Sequence, residues 1–345
     1  MNKQAKTLKQ PSGLRSYLSK YLGVYVFLLV MIVAMTLISD KFLTLSNILN
    51  ILRQISVNAI IAFGMTYCIL LGGIDLSVGA VICVGGVLCA KVINAGANIY
   101  LGILAGVAVG VAAGLFNGIL VSRTGIPAFV VTLCSQSICN GMAYILTKGS
   151  PISCNNEQFT WFGNGYIAEI IPVPVIIMLI IFAITLFLLV RTSFGKHLYA
   201  IGGNRDCARY AGINIERDET ICYVISGTLA GVAGVILAAR MYSGQPNAGD
   251  GYELNAIAAT VIGGASMTGG IGSVAGTILG ALVIGIMNNG LNLMKAQYYY
   301  QTIAKGVVIL AAVLLDTYKR KLQVRKQLEA AAHEAKAESS QKPSK

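Results

Sequence analysis

The chain has 345 residues, of which 55% are hydrophobic and only 12% charged, and its mean hydropathy is +0.70. Soluble domains carry about 25% charged residues, so this chain has too little charge to cover a water-facing surface. The composition argues against a soluble enzyme, a disordered protein and a secreted disulfide-rich domain, and it favours a protein that crosses a membrane several times.

Apolar blocks without charged side chains are long enough for membrane helices, which need about 20 residues to cross a bilayer. Eight blocks cover residues 21–39, 54–74, 76–90, 92–122, 124–147, 170–190, 220–239 and 254–294. The last block is long enough for two passes. A further apolar stretch covers residues 296–315, and Lys305 is its only charged residue. The sequence predicts an all-α polytopic bundle of about ten spans. Nine or eleven spans are alternatives, because residues 54–90 and 254–294 are hard to divide.

The positive charges predict the orientation of the chain. With ten spans, 19 of the 26 Lys and Arg residues lie on the side of the termini, in residues 1–20, Arg123, 191–219 and 319–345. The positive-inside rule places that side in the cytoplasm. We expect a basic N-terminus, a membrane domain over residues 21–318, and a basic tail that begins as an amphipathic surface helix. Anionic lipid explains the net charge of +12 better than nucleic acid does.

Glycines recur at four-residue spacing in three blocks. The positions are Gly102, Gly106, Gly110, Gly114 and Gly118, then Gly227 and Gly231, then Gly272, Gly276 and Gly280. Small residues at this spacing let membrane helices approach closely. The sequence therefore predicts a tightly packed, glycine-lined bundle.

Two glycine-rich segments, residues 72–77 and 263–270, interrupt apolar blocks. Residues 54–90 would be about 55 Å long as a single helix, which is too long for one pass. Each segment follows an Asn-Ala-Ile triplet, which begins at Asn58 or Asn255. This pattern indicates a faint repeat of two halves with interrupted helices, and transporters of that kind place substrate near the interruptions.

Five polar residues within the apolar blocks are candidates for a translocation path. They are Asn58, Asp75, Asn255, Asn288 and Asn289. A helix cap or an interhelical hydrogen bond is the alternative for each of them. For Asp75, which follows Gly-Gly, the alternative is an acid that caps a helix.

Motifs for catalysis or nucleotide binding are missing from the sequence. It contains no G-x-x-x-x-G-K-[ST] motif, so we expect no ATP site of its own. Residues 270–275 match a dinucleotide fingerprint, but they lie inside an apolar block without alternating strands and helices. The two histidines, His197 and His333, have no neighbours at metal-ligand spacing. We expect no catalytic site, no metal site and no bound cofactor.

The longest inner loop, residues 191–219, is the most informative segment. Asn204 can cap a short helix over residues 205–211, and Gly212 suits its C-terminal end. A short helix on the cytoplasmic face suits docking into another protein, and a solvated linker is the alternative.

The sequence here resembles the membrane permeases of bacterial monosaccharide ABC importers, which include ribose, xylose, arabinose and galactose permeases. The resemblance covers residues 21–318. It is carried by GIDLSVG at 73–79, GIPAFVVTL at 125–133, the loop 194–214, and GYELNAIAA at 251–259 with the glycines that follow. Residues 56–60, 245–249, 288–292 and 299–301 are most similar to the ribose-type members.

The resemblance implies a homodimeric permease with ten helices per chain, a cytoplasmic ATPase partner that binds ATP, and an extracytoplasmic sugar-binding protein. It implies a coupling helix in the inner loop, and the matching residues are Gly202, Gly203, Asn204, Ala208, Arg209 and Gly212. Two positions depart from the family pattern. Asn255 replaces the usual Asp, which puts an acidic role there in doubt, and Cys134 replaces a frequent Gly.

We therefore expect a permease in the bacterial cytoplasmic membrane that moves monosaccharide inward by alternating access, with outer loops 148–170 and 240–253 receiving the binding protein. Ribose is the leading candidate sugar, while xylose, allose, galactose and a polyol or signalling furanose remain open. The rival hypothesis is an ion-coupled secondary carrier or channel that transports small polar solutes on its own. A membrane-embedded enzyme lacks any catalytic cluster.

Overall fold

The computed structural model describes residues 14–297, 299–311, 313–314 and 317–318, and only the backbone of residues 14–20. Most of the basic N-terminus (1–20) and the whole basic tail (319–345), with its predicted amphipathic helix, lie outside the described residues.

The described residues are mostly helical, with four two-residue strands. In chain order the elements are α1 (Leu14–Ile38), α2 (Leu45–Leu70), α3 (Val78–Asn94), α4 (Ile99–Thr124), α5 (Ala128–Thr147), β1 (Ile152–Ser153), α6 (Glu157–Asn164), β2 (Tyr166–Ile167), β3 (Ile171–Pro172), α7 (Val173–Arg191), α8 (Ser193–Gly203), α9 (Arg205–Tyr210), α10 (Ile215–Arg240), β4 (Ser243–Gly244), α11 (Tyr252–Ile262) and α12 (Val274–Leu293). Residues 299–311 form a further helix, α13.

Seven helices in the described part of the chain are long and apolar enough to cross a membrane. They are α1 from Tyr21 onward, α2, α4, α5, α7, α10 and α12, while α3 and α11 are apolar but shorter. This result confirms the predicted all-α membrane bundle. Each predicted apolar block overlaps a helix: the block 254–294 covers most of α11 and all of α12, and the stretch 296–315 contains α13.

The glycine stripe of α4 packs directly against α3 and α10, as its spacing predicts. All five of its glycines are buried. A Cβ added to Gly110 would collide with the carbonyl oxygen of Gly227, and a Cβ added to Gly227 would collide with that of Gly110. The two backbones therefore touch without side chains between them, which is the close helix packing that small residues allow.

Two interruptions divide the apolar blocks where the sequence predicts them. The first break, residues 71–77, separates α2 from α3, and the second break, residues 263–273, separates α11 from α12. Irregular backbone is tolerated at membrane depth when it is buried in protein or lines a cavity. Both breaks therefore need partners elsewhere in the chain.

The core lies around α2, which is buried continuously from Ile55 to Leu70. In contrast, α1, α5 and α7 expose large apolar side chains such as Leu37, Ile145 and Phe187. This arrangement is typical of a protein in a lipid bilayer, because exposing apolar side chains to hydrocarbon costs much less free energy than exposing them to water.

Candidate functional site

A polar cavity of about 420 Å³ opens between α2, α11, α12 and α13. Its volume lies in the range of small-molecule sites, which is about 300–1,000 Å³. The lining residues are Gln54, Asn58, Asn247, Ala248, Asp250, Tyr252, Asn255, Asn288, Gln301 and Lys305. Because the rest of the core is largely apolar, this polar cavity is the strongest candidate in the described structure for a solute path.

Three of the five predicted path residues meet at the cavity. Asn58 comes from α2, Asn255 from α11 and Asn288 from α12, and their exposed fractions are 2%, 5% and 3%. The side-chain oxygen of each is buried and has no hydrogen-bond partner within the described part of the chain. A buried polar atom without a partner is costly and rare in folded proteins.

Asn289, the fourth predicted path residue, lies outside the cavity. Its side-chain nitrogen donates to Asn47 Oδ1 at 2.8 Å, and Asn47 Nδ2 donates back to Asn289 Oδ1 at 3.0 Å. This reciprocal pair joins α12 to the first turn of α2. Neighbouring asparagines on one helix thus have different surroundings: Asn289 is satisfied by protein and Asn288 is not.

Asp75, the fifth predicted path residue, is fully buried in the first break. Its Oδ1 accepts hydrogen bonds from the backbone nitrogen and the hydroxyl of Ser77, and its Oδ2 accepts from the Ser226 hydroxyl at 2.8 Å. Asn117 of α4 donates to the same Ser77 hydroxyl at 2.9 Å. The carboxyl group therefore holds the first break against α4 and α10, and the structure does not place it at the cavity.

The inner loop contains two helices, α8 and α9, which we call the loop helices. The predicted short helix is confirmed as α9, because Asn204 Oδ1 accepts from the backbone nitrogen of Cys207 at 2.9 Å. Gly212 follows with φ of +82°, a conformation that favours glycine, and Ile213 donates to the carbonyl of Ala208. This is the expected C-terminal cap. The sequence analysis did not predict α8.

The six predicted coupling residues divide between two faces of the loop helices. Ala208 is buried and packs with Ile201 and Ile215, and Gly202 is partly buried. The other four, Gly203, Asn204, Arg209 and Gly212, are exposed. Tyr210, beside Arg209, is 90% exposed. A protein that docks here would meet Arg209 and Tyr210, whereas Ala208 faces the interior.

Two side-chain contacts fasten the loop helices to the start of α10. Arg205 of α9 contacts Glu219 through two hydrogen bonds of 2.6 and 3.2 Å. Hydrogen bonding to Glu219 raises the pKa of Arg205 further above its usual range, so the guanidinium stays charged. His197 of α8 contacts Asp218 with 2.8 Å between Nδ1 and Oδ2. Each loop helix is therefore linked to the start of α10 by one side-chain contact.

The loop helices also contact both breaks. A Cβ on Gly202 would collide with the carbonyl oxygen of Leu70, at the end of α2, and with the backbone nitrogen of Gly270 in the second break. The hydroxyl of Tyr199 donates to the carbonyl of Gly272 at 2.8 Å. The inner loop and both helix interruptions thus share one junction.

The two predicted outer loops form one surface. Strand β1 pairs antiparallel with β4, with Ile152 opposite Gly244. Next to it, Asn164 of α6 donates to the carbonyl of Ala239 at 3.1 Å. Segments 148–170 and 240–253 therefore contact each other, and the second of them also supplies cavity residues such as Asp250.

The predicted path residues did not include the lining groups Gln54, Gln301 and Lys305. Gln54 precedes Asn58 by four residues, so it lies on the same face of α2, and this spacing could have indicated it. Lys305 was visible as the only charge in its apolar stretch. No comparable local signal marks the Arg205–Glu219 pair, which is a contact between two helices.

Comparison with known proteins gives consistent relatives. Residues 47–313 match the family model described as "Branched-chain amino acid transport system / permease component". The chain is 45% identical over 300 residues to the ribose import permease protein RbsC of Bacillus subtilis, which covers 86% of this chain and 93% of that protein. It is 42% identical to RbsC of Escherichia coli K12, covering 85% and 92%. It is 39% identical to the L-arabinose transport system permease protein AraH of Escherichia coli K12, covering 87% and 91%. No solved structure matches the chain.

Proposed function

The chain belongs to the permease family whose model it matches over residues 47–313, and we propose that it is the membrane-spanning subunit of an ATP-driven ribose importer. The observation that carries this proposal is the identity of 42–45% to ribose import permeases over 92–93% of their length. Arabinose and allose permeases also match, which supports a monosaccharide as the substrate. Permease subunits of this kind are not themselves enzymes.

We propose ten crossings of the cytoplasmic membrane, with both termini inside. The seven long helices support most of them, and α3, α11 and α13 would complete the membrane domain of residues 21–318. The positive-inside rule supports this orientation. It places the basic segments 1–20 and 319–345 and the loop helices in the cytoplasm, and it places the surface of segments 148–170 and 240–253 outside.

The partners follow from that orientation. We propose that a cytoplasmic ATPase docks on the loop helices, where Arg209 and Tyr210 are exposed, and that it binds the ATP, since this chain has no P-loop motif. A sugar-binding protein would dock on the outer surface. A second copy of the chain would complete a homodimer, and lipid would cover the remaining apolar faces.

The proposed mechanism is alternating access. Closure of the ATPase would push the loop helices, which contact Leu70 at the end of α2 and Gly270 in the second break. Movement there would reach α2, α11 and α12, which carry Asn58, Asn255 and Asn288 at the cavity. Asp75 and Asn289 would act on the path through the elements that they hold, the first break and α12.

The test is uptake of labelled ribose by proteoliposomes that contain the chain with and without its ATPase and binding protein. We expect uptake only with both partners and ATP. Uptake by the chain alone, driven by an ion gradient, would favour a secondary carrier instead. Failure of the complete system with ribose but success with another monosaccharide would change the substrate and leave the mechanism in place.

A charge reversal tests the docking of the ATPase. Arg209→Glu changes an exposed residue of α9, so we expect normal membrane insertion and at least tenfold less stimulated ATP hydrolysis, about the effect of 1.4 kcal/mol at an interface. Lys91→Glu, at the exposed end of α3 on the proposed outer side, is the matched control. Unchanged uptake by the Arg209 variant would remove the coupling role of α9.

A further inference from the structure

We propose that the polar cavity is a weak monosaccharide-binding site, in which the three amides of Asn58, Asn255 and Asn288 recognise sugar hydroxyl groups. This inference rests on the proposed function and deepens it. During transport the permease itself would contact the sugar through these three amides, in addition to the contacts that the sugar-binding protein makes.

The unpaired state of these amides is the first argument. Each contributes a buried side-chain oxygen that has no hydrogen-bond partner in the described part of the chain. The reciprocal pair Asn47–Asn289 shows that the same bundle can pair both the oxygen and the nitrogen of an asparagine side chain. Three amides with unpaired oxygens thus meet at one cavity from three helices, and rotation of an amide would present its oxygen to a ligand there.

The chemistry of the amides selects the class of ligand. An asparagine side chain offers one acceptor and two donors, and rotation of its terminal torsion exchanges them. A hydroxyl group both donates and accepts, so it can satisfy the amide in either orientation. A polyhydroxylated neutral ring carries several such groups, which is what three amides on different sides of a cavity require.

The other lining groups agree with a neutral, hydroxyl-rich ligand. Gln301 Nε2 already donates to Asn292 Oδ1 and to the carbonyl of Ala296, so its amide adds only an acceptor to the cavity. Lys305 and Asp250 bring opposite charges, which gives no net preference for an anion or a cation. The volume of about 420 Å³ leaves room for a monosaccharide and water.

A thiol placed at the cavity can report occupancy. Gln54→Cys puts a reactive group in the lining and leaves all three asparagines in place. The full-length protein in detergent is treated with a methanethiosulfonate reagent, and labelling at position 54 is measured by peptide mass spectrometry. Exposed Cys207 of the same chain is the internal reference.

Ribose should slow labelling at position 54 and leave the labelling of Cys207 unchanged. We expect half-protection at millimolar concentration, which is typical of weak polar sites, and about tenfold slower labelling at ten times that concentration. Tetrahydropyran has a similar ring without hydroxyl groups, and it should give no protection. Equal protection by tetrahydropyran, no protection by ribose, or an introduced thiol that never reacts would overturn the proposal.

A second substitution identifies the recognising groups. Adding Asn288→Leu or Asn58→Leu to the reporter should weaken protection by ribose about fivefold, the effect of losing one hydrogen bond. Asn140→Leu, an amide of α5 that does not line the cavity, is the matched control and should leave protection unchanged. If all three variants behave alike, the amides do not recognise the sugar.

The outcomes separate this inference from the proposed function, because labelling needs only the purified chain. Protection that depends on the amides, combined with no ATP-driven uptake of ribose in the complete system, would keep the binding site and reject the importer. Uptake without any protection would keep the importer and reject the binding site.

Discussion

The backbone nitrogen of Gly270 donates a 2.8 Å hydrogen bond to the carbonyl oxygen of Leu70. Leu70 ends α2, and Gly270 lies in the second break, so this bond joins two helix interruptions that are distant in the chain. Gly202 of α8 packs against the same two atoms. In the proposed mechanism, a displacement of the loop helices would reach both interruptions through this direct backbone contact.

Gly202→Ala tests this junction. The added Cβ would collide with the carbonyl oxygen of Leu70 and the nitrogen of Gly270. Both are backbone atoms, so the junction itself has to open, and overpacking of this kind costs about 1–3 kcal/mol. We expect a lower melting temperature of the purified protein and a loss of ATP-driven uptake that exceeds the loss of folded protein.

The neighbouring glycine supplies the stability control. A Cβ on Gly203 has no atom within 4 Å, so Gly203→Ala should leave the melting temperature unchanged. Should Gly202→Ala match the wild type in both melting temperature and uptake per folded protein, the junction would have no part in coupling.

The pair Arg205–Glu219 predicts a second effect on the loop helices. Glu219 is only 7% exposed and contacts a guanidinium that is 44% exposed, so solvent screens the pair partly. Glu219→Gln removes one charge, and we expect a loss of about 1 kcal/mol of stability, together with weaker stimulation of ATP hydrolysis because α9 is less firmly held. Thermal denaturation and ATPase assays of the reconstituted complex measure the two effects.

A more exposed ion pair in the same region serves as the comparison. Arg123 and Glu216 are 3.9 Å apart and 68% and 65% exposed, so Glu216→Gln should change little. Exchanging the two charges, Arg205→Glu with Glu219→Arg, should restore part of the stability lost in the single variants. Identical effects of the Glu216 and Glu219 substitutions would show that the Arg205–Glu219 pair has no special role.

The contact between α4 and α10 makes a third prediction. Gly110→Ala would drive a Cβ into the carbonyl of Gly227, and no side-chain rotation can relieve this clash. We expect much less folded protein after membrane extraction, with a stability loss of about 1–3 kcal/mol or more. Gly141→Ala in α5 meets nothing within 4 Å and should be neutral or slightly stabilising. Equal yields of the two variants would contradict the packing argument.

Local sequence signals predicted the elements of this fold well. The glycine spacing of α4, the helix breaks after Leu70 and Ile262, and the cap at Asn204 each depend on a few consecutive residues. The junction of Gly202, Leu70 and Gly270 could not be predicted in this way, because it depends on the approach of three segments that are distant in sequence. Helix α8 buries Leu198 and Ile201 at helical spacing, but this apolar pattern covers too few residues to predict the helix.

The same limit explains the mixed outcome for the path residues. Sequence identifies a polar residue in an apolar helix, but it does not tell whether that residue meets a cavity or another side chain. Asn288 and Asn289 are adjacent on α12 and differ by about 100° around its axis. That rotation separates an amide at the cavity from one paired with Asn47.

Asp75 makes the fourth prediction, because its contacts separate a structural role from a role in the path. Asp75→Leu would leave the hydroxyls of Ser77 and Ser226 without their acceptor. We expect a stability loss of about 2 kcal/mol or more, since leaving one buried hydrogen-bonding group without a partner costs about 1–3 kcal/mol. Asp75→Asn keeps one acceptor oxygen and should lose less, so it is the variant in which transport can still be measured.

Asp75→Asn should lower the melting temperature without changing the KM for uptake, because Asp75 is fully buried and does not line the cavity. Asn58→Leu should have the opposite effect. It removes a polar group at the cavity, so the KM should rise about fivefold. It also removes a buried amide without a partner, so the melting temperature should be unchanged or higher. If Asp75→Asn raised the KM and left the melting temperature unchanged, Asp75 would be assigned to the path. Loss of a structural contact would lower the melting temperature, whereas loss of a contact with the sugar would raise the KM alone.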